Sequence, residues 1–352
     1  MTFSREIIIG NHKISSDGSC FITAEIGINH NGDMDLAKKM MSAAKEAGAT
    51  GVKFQNYKTE DFVHTKDLLY TYKNKGELIT ESQWEMFKRC ELSIEQLIEL
   101  KKYSDELEVL FFTTPTSKQG IFELQKISAP LIKNGSDFLT NLELVEMMAE
   151  TGLPTVLSTG MATLGEIGDA VNAFKQAGGR ELILLHCTSS YPTPAEEVHL
   201  NKIKTLAETF GCLSGFSDHS EGTTAAIGAR VMGACFIEKH FTLDKKLPGP
   251  DHYFSADPKE FKQMIDDVRY VEIAMGDSEL GPSFSERESR KQFRLSCIAA
   301  KDLPAGTKLK REHIKFGRPG TGVLPKDVDS LINRVLKKDF THGKPFDLEE
   351  LI

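Results

Sequence analysis

Ser217-Asp218-His219 and Glu238-Lys239-His240 place hydroxyl, carboxylate, ammonium and imidazole groups where two apolar, strand-like runs end. If those runs are neighbouring parallel strands, their ends lie about 5 Å apart, so His219 and His240 can share one divalent cation. Water and substrate oxygen would complete a shell of the Mn²⁺ or Mg²⁺ kind. Lys53 and Lys133 close two further runs, where their ammonium groups can neutralise phosphate or carboxylate. Thr114, Ser136 and Ser217 add the directed hydroxyls that such an anion needs. Lys239 is expected to join this anion site. Glu25 alternates with Ile22 and Ala24 and is expected to face inward, where burial lifts a carboxyl into the range of a general acid or base. A structural ion pair between Glu25 and Lys53 is the plainer account, and the two can coexist. Asp251 rides on the stiff Leu247-Pro248-Gly249-Pro250-Asp251-His252 loop. Taken singly, these are satisfied histidines, snorkelling lysines and turn hydroxyls; their convergence on one rim is what points to chemistry.

The convergence follows from the elements. Short apolar runs at Phe21–Ile26, Gly51–Gln55, Val109–Thr113, Leu131–Asn134, Thr155–Ser158, Leu182–His186, Leu213–Phe216 and Cys235–Glu238 alternate with amphipathic helical patterns. Leu36, Met40, Ala44 and Ala47 line one such helix, and Leu142, Val145, Met148 and Ala149 another. This alternation predicts an α/β fold, a (β/α)₈ TIM barrel, and no Gly-rich dinucleotide fingerprint follows any run. Glu25, Lys53, Thr114, Lys133, Ser158, His186, Ser217 with His219, and Glu238 with His240 all fall at the C-terminal ends, the face on which barrels carry their sites.

A length of 352 residues predicts a large unit plus a small one, and a net charge of −8 argues against a nucleic-acid surface. Nothing approaches membrane-spanning length, and Met1–Gly10 lacks a secretory pattern, so a cytoplasmic protein is expected. Six scattered cysteines predict buried thiols rather than a disulfide framework. The expected organisation is a barrel over 1–280, a linker over 281–292 and a small β-rich unit over 293–352. The small unit carries a faint repeat: Gly306, Leu309, Glu312 and Ile314 share their offsets with Gly343, Phe346, Glu349 and Leu351.

With these residues in hand, the chain resembles the sialic acid (N-acetylneuraminate) synthases. The resemblance rests on Glu25-Ile26-Gly27 with Asn29-His30-Asn31-Gly32, Val52-Lys53, Ser158-Thr159-Gly160-Met161 and His186-Cys187-Thr188 with Tyr191-Pro192-Thr193-Pro194. Gly215–His219, Glu238–Phe241 and Pro248–His252 extend it. Ala300-Lys301-Asp302-Leu303, Gly306 and Lys315–Gly322 are similar to the antifreeze-like SAF (β-clip) domain that ends these enzymes.

The resemblance implies condensation of phosphoenolpyruvate with an open-chain N-acylated hexose to a nine-carbon 2-keto acid plus phosphate, by C–O cleavage. It implies a phosphoenolpyruvate site of Lys53, Thr114, Lys133, Ser136, Ser189 and Ser217, and catalytic acids Glu25, Asp251 and Glu238. Tyr191, Asp137 and Arg318 are the implied sugar contacts. The implied metal, on His219 and His240, is Mn²⁺, with Mg²⁺ or Co²⁺ as alternatives. The family also implies a domain-swapped homodimer in which Arg318 reaches the partner's site. Two departures leave the hexose open between N-acetylmannosamine and a 2,4-diacetamido-trideoxyhexose: Asp137-Phe138 where many neuraminate synthases carry Gly-Glu, and Ser189 where some carry Asn. Two rivals remain: an enzyme like the 3-deoxy-octulosonate phosphate synthases acting on a phosphorylated sugar, and a non-catalytic, ice-binding role led by the tail.

Overall fold

Ile7 and Ile9 are buried and alternate with exposed Glu6 and Ile8, so the chain opens on an antiparallel hairpin, β1 (Glu6–Ile9) and β2 (His12–Ser15), whose Ile7, Ile9 and Ile14 join the main core. The computed structural model describes residues 2–74 and 76–352. These form two units, one ending at Gly276 and the other spanning Asp277–Ile352.

In the first unit every apolar run becomes a strand. In chain order the elements are β3 (Phe21–Gly27), α1 (Met34–Glu46), β4 (Gly51–Asn56), β5 (Leu69–Asn74), β6 (Glu77–Ser82), α2 (Gln83–Cys90), α3 (Ile94–Glu106), β7 (Leu110–Pro115), α4 (Lys118–Lys126) and β8 (Ile132–Asn134). There follow α5 (Leu142–Glu150), β9 (Thr155–Ser158), α6 (Leu164–Gln176), β10 (Leu182–Cys187), α7 (Asn201–Phe210), β11 (Leu213–Asp218), α8 (Thr224–Val231), β12 (Phe236–His240) and α9 (Pro258–Ala274). Eight strands pair in the order β7-β4-β3-β12-β11-β10-β9-β8, all parallel. β7 and β8 stand side by side with no ladder between them among the described residues, so the ring is nearly closed, a TIM barrel as expected.

Local chemistry starts the helices where the pattern demands. Asp33 caps α1 by accepting from the amides of Asp35 and Leu36, while Ser93, Thr163 and Asp257 open α3, α6 and α9 with reciprocal capping boxes. Inside the barrel, aromatic side chains fill the lower layer: Phe21 stacks on Phe236 at 4.9 Å between centroids, and Phe112 meets Phe236 edge-on at 6.4 Å. A side chain at Gly51 would crowd both Phe21 and Phe112, which would have to shift to admit it.

The sequence pattern did not indicate the β5–β6 hairpin, which follows β4 together with a short 3₁₀ turn at Thr59–Asp61 and leads into α2. Its strands are largely exposed, although Tyr70, Tyr72 and Ile79 alternate with polar residues in the two-residue period that marks a strand.

In the second unit the expected exposed connector contains a short exposed helix, α10 (Glu286–Phe293). β13 (Ser296–Ala299) pairs antiparallel with β14 (Ile314–Gly317), and isolated bridges complete a small β-rich domain. The faint repeat is structural: Gly306 and Gly343 both take φ of 82°, each is followed at the same offset by a 3₁₀ turn, and Leu309, Ile314, Phe346 and Leu351 are buried in one core. No helix among the described residues is long and apolar enough to cross a membrane.

Candidate active site

Each of the eight barrel strands contributes one inward side chain to the floor of a cavity of about 270 Å³: Glu25, Lys53, Thr114, Lys133, Ser158, Cys187, Ser217 and Glu238. Strand alternation produces this ring, because the residues before and after each of them point to the helices. Ser136, Asp137, Tyr191, His219, His240 and Asp251 line the same cavity above the floor. Ser217 lies in register with Cys187 on one side and Glu238 on the other, and His240 with Glu25, so these strand-end residues meet on one rim.

Two expectations fail by one residue of parity. Lys239 does not join the anion site: its ammonium donates to Asp218 at 2.9 Å and to the Ser220 carbonyl at 2.5 Å, outside the strands and fully buried. Asp218 also accepts from the Ser220 amide and hydroxyl, so this pair fixes the segment carrying His219. His186 also faces away, donating from Nε2 to the Val198 carbonyl at 2.6 Å; its neighbour Cys187 takes the inward place.

The floor holds two carboxylates and two ammonium groups with almost no exposure. Lys53 bridges Glu25 at 3.3 Å and Glu238 at 3.1 Å, and Lys133 stands 3.6 Å from Glu238 while donating to Ser158 at 2.7 Å. Glu238 also accepts from the Ser217 hydroxyl at 3.0 Å. Burial opposes the charge on Glu238, but Lys133 and Lys53 outweigh it and hold its carboxyl at about 2. Burial wins at Glu25, only partly offset by Lys53, and with Glu238 adding repulsion its carboxyl is pushed up to about 7. Burial likewise pulls the Lys133 ammonium down to about 8. Two carboxyls driven apart in this way divide the labour: Glu238 is a standing anion that holds the lysines, and Glu25 is the one able to exchange a proton near neutrality. The ion pair foreseen for Glu25 is present, and it leaves the carboxyl in the range that the foreseen catalytic role requires. A shift in ladder register between Glu25 and Gly27, with Gly27 at φ of 55°, turns the chain at this point.

At the rim the His219 and His240 rings lie 5.3 Å apart between centroids, at 64° to each other. His219 donates from Nδ1 to the Thr188 carbonyl at 2.8 Å, which fixes its tautomer and leaves the Nε2 lone pair available. Nδ1 of His240 is buried, has no hydrogen-bond partner among the described residues and lies 3.8 Å from the Asp251 carboxylate. An orphaned imidazole nitrogen beside a second oriented imidazole fits a divalent cation. No group of three His, Cys, Asp or Glu residues surrounds a common point among the described residues, so a cation held here would have these two imidazoles as protein donors and take its other positions from water or substrate oxygen. Asp251, pushed up to about 6 by burial, and the Tyr191 ring, 4.3 Å from that of His219, complete this side.

Ser136 accepts from the Gly160 amide at 3.0 Å. Ser189 is not among the lining residues; its buried hydroxyl, without a hydrogen-bond partner among the described residues, packs against Gly160 beside Ser136. Thr114, on the cavity floor, has a buried hydroxyl without a hydrogen-bond partner among the described residues. Asp137 sits exposed at the lip. Arg318 belongs to the second unit, where it donates to the Phe293 carbonyl at 3.0 Å and covers the Phe293 ring at 5.2 Å. The sequence reasoning missed Gln55, which donates to Glu25 at 3.4 Å, and the aromatic wall contributed by the hairpin insertion. Cys187 was foreseen only as a buried thiol, and only its inward parity after Leu185 could have placed it in the cavity.

Residues 40–280 match the NeuB family and residues 296–351 the SAF domain. The chain is 42% identical over 334 residues to the uncharacterized protein MJ1065 of Methanocaldococcus jannaschii, covering 95% of each chain. It is 38% identical over 344 residues to the N,N'-diacetyllegionaminic acid synthase of Legionella pneumophila, covering 97% of each. The crystal structure of N-acetylneuraminic acid (sialic acid) synthetase from Leptospira borgpetersenii serovar Hardjo-bovis, in complex with citrate, matches with a TM-score of 0.73 at 35% identity, over 82% of this chain and 96% of that one.

Proposed function

The chain belongs to the NeuB family, and on that premise we propose that it condenses phosphoenolpyruvate with an open-chain N-acylated hexose, giving a nine-carbon 2-keto sugar acid and inorganic phosphate. C3 of phosphoenolpyruvate forms a bond to the aldehyde carbon of the hexose. Water adds at C2, and the C2–O bond breaks to release phosphate. Atoms balance with one water consumed.

The observation that carries this reading is the floor itself, with two buried lysines, two buried glutamates and convergent hydroxyls under a pair of imidazoles. Lys53, Lys133, Thr114, Ser136 and Ser217 hold the phosphate and carboxylate of phosphoenolpyruvate, with Ser189 supporting Ser136 from behind Gly160. The incoming anion shares the two ammonium groups with Glu238. Glu25 supplies or removes the proton at the reacting oxygen, and Asp251 and Tyr191 orient the sugar. His219 and His240 would hold a divalent cation, Mn²⁺ in this proposal, which when bound supplies Lewis-acid polarisation of the aldehyde. In a homodimer with exchanged tails, Arg318 of a second copy would meet the N-acyl group.

A phosphate-release assay with phosphoenolpyruvate, Mn²⁺ and a panel of N-acyl hexoses tests the reading. Turnover is expected only when both substrates are present. Silence with every N-acyl hexose, together with turnover of arabinose 5-phosphate, would move the chain to the octulosonate-type reaction. Gly160→Ala places a methyl group against both serine hydroxyls and is expected to raise the KM for phosphoenolpyruvate about tenfold, the worth of one disturbed hydrogen bond to an anion. An equal rise in the KM for the sugar would remove Ser136 from the phosphate site.

A further inference from the structure

Two short triplets carry the paired imidazoles, Ser217-Asp218-His219 at the end of β11 and Glu238-Lys239-His240 at the end of β12. Strand alternation splits each triplet between two faces. Ser217 and Glu238 join the cavity floor, and His219 and His240 its rim, while Asp218 and Lys239 turn outward and are buried behind them. Asp218 stands opposite Lys239 in the last rung of the ladder between these strands, and among the described residues no rung joins His219 to His240. At that rung the Lys239 ammonium reaches across to one Asp218 oxygen at 2.9 Å and on to the Ser220 carbonyl at 2.5 Å. The other Asp218 oxygen accepts from the Ser220 amide at 2.9 Å and the Ser220 hydroxyl at 2.6 Å. The link therefore runs from β12 to the residues on both sides of His219.

An ion pair this deeply buried adds little net stability, because desolvating its two charges costs about as much as their attraction returns. What it does supply is a fixed distance between two strand ends, and the imidazoles need one. Their other ties run to different neighbours. His219 donates from Nδ1 to the Thr188 carbonyl at 2.8 Å and accepts at its own carbonyl from the Thr193 amide at 2.9 Å, both in the loop after β10. Nδ1 of His240 has no hydrogen-bond partner among the described residues, so its ring goes where the end of β12 takes it. That end is tied to β3, through the Phe241 amide and the Glu25 carbonyl at 2.8 Å. Resting on the cation site proposed above, we infer that Asp218 and Lys239 are positioning residues, a strap between the ends of β11 and β12 that sets the spacing of His219 and His240 for a single divalent cation.

The test removes both charges at once in the double variant Asp218→Asn, Lys239→Met, in which asparagine keeps an oxygen for Ser220 and methionine keeps most of the lysine chain. Its melting temperature is expected to stay close to that of the wild type, as neutral replacement of a buried pair often allows. Mn²⁺ affinity, measured by calorimetry on the full chain, is expected to fall roughly 10- to 100-fold, the range for residues that orient metal ligands. Affinity for phosphoenolpyruvate in the absence of metal, the proposed task of Lys53 and Lys133 on β4 and β8, is expected to stay within about twofold. Ser220→Ala, which takes one hydroxyl from Asp218 and keeps the ion pair, is expected to weaken Mn²⁺ roughly threefold and serves where the double variant does not fold. Unchanged Mn²⁺ affinity in the folded variant overturns the inference and leaves the cation site standing. Equal losses of Mn²⁺ and phosphoenolpyruvate affinity also overturn it, because they mean a loosened barrel rather than two displaced rings. Wild-type protein that binds no Mn²⁺ removes the cation site itself, and the strap's role with it.

Discussion

Replacing Lys53 with methionine is expected to destabilise the barrel by about 3–5 kcal/mol and to lower kcat/KM by at least about 100-fold. The size of the first effect comes from what the substitution leaves behind. Lys53 is buried between Glu25 and Glu238 at 3.3 and 3.1 Å, and methionine fills its volume without its charge. Lys133 remains beside Glu238 at 3.6 Å, but Glu25 keeps no ammonium partner within ion-pair distance among the described residues. The signature that separates this mechanism from loss of packing is its pH dependence. In the native protein Glu238 sits at about 2, below its ordinary 4.5, so the stability it contributes is present above 4.5 and is lost as pH falls through 2. In the variant both carboxyls rise, Glu25 beyond the value of about 7 it already has. The folded state then holds protons that the unfolded chain has released, so stability falls as pH rises through the raised values and returns on acidification. Thermal melts should show the gap between variant and wild type narrowing from about pH 8 to about pH 5. A gap that stays constant across that range would mean that charge burial is not what Lys53 relieves.

The same strands explain what the sequence disclosed and what it hid. Parallel strands covered on both faces read as unbroken apolar runs, which is why all of β3, β4 and β7 to β12 could be placed from sequence. Polar residues at their ends stood out against that background, and Lys53, Thr114, Lys133, Ser217, Glu238 and the two imidazoles meet in one cavity. An apolar run on both faces also conceals which parity points inward. His186 was therefore taken for Cys187, and Lys239 was assigned to an anion site although its neighbours Glu238 and His240 had already claimed the inward face. The insertion after β4 was hidden for the opposite reason: its strands are exposed, short and rich in Tyr and Thr, so no core pattern announced them. The repeat in the tail was legible because Gly306 and Gly343 occupy the same left-handed turn, which few other residues tolerate.

Substituting alanine for His240 is expected to weaken Mn²⁺ binding by at least about 100-fold and to remove cation-dependent turnover, while the barrel stays folded. The fold should tolerate the change because Nδ1 of this ring makes no hydrogen bond among the described residues and its ring rests at the rim against Phe254, 5.0 Å away, rather than in the packed lower layer. Burial also keeps the imidazole well below its ordinary value, so it is neutral and no compensating charge is stranded when it leaves. His186 provides the comparison, as an imidazole on the neighbouring face of β10 whose Nε2 is committed to the Val198 carbonyl. His186→Gln is therefore expected to leave Mn²⁺ affinity unchanged, measured by calorimetry or by the loss of the free-ion spin-resonance signal. Wild-type protein stripped by a chelator should resemble His240→Ala in turnover and recover on adding Mn²⁺, whereas the variant should not recover at the same concentration. Equal Mn²⁺ affinity in wild type and His240→Ala would take His240 out of the ligand set. The paired imidazoles would then serve the sugar, and the orphaned nitrogen beside Asp251 would be a substrate contact.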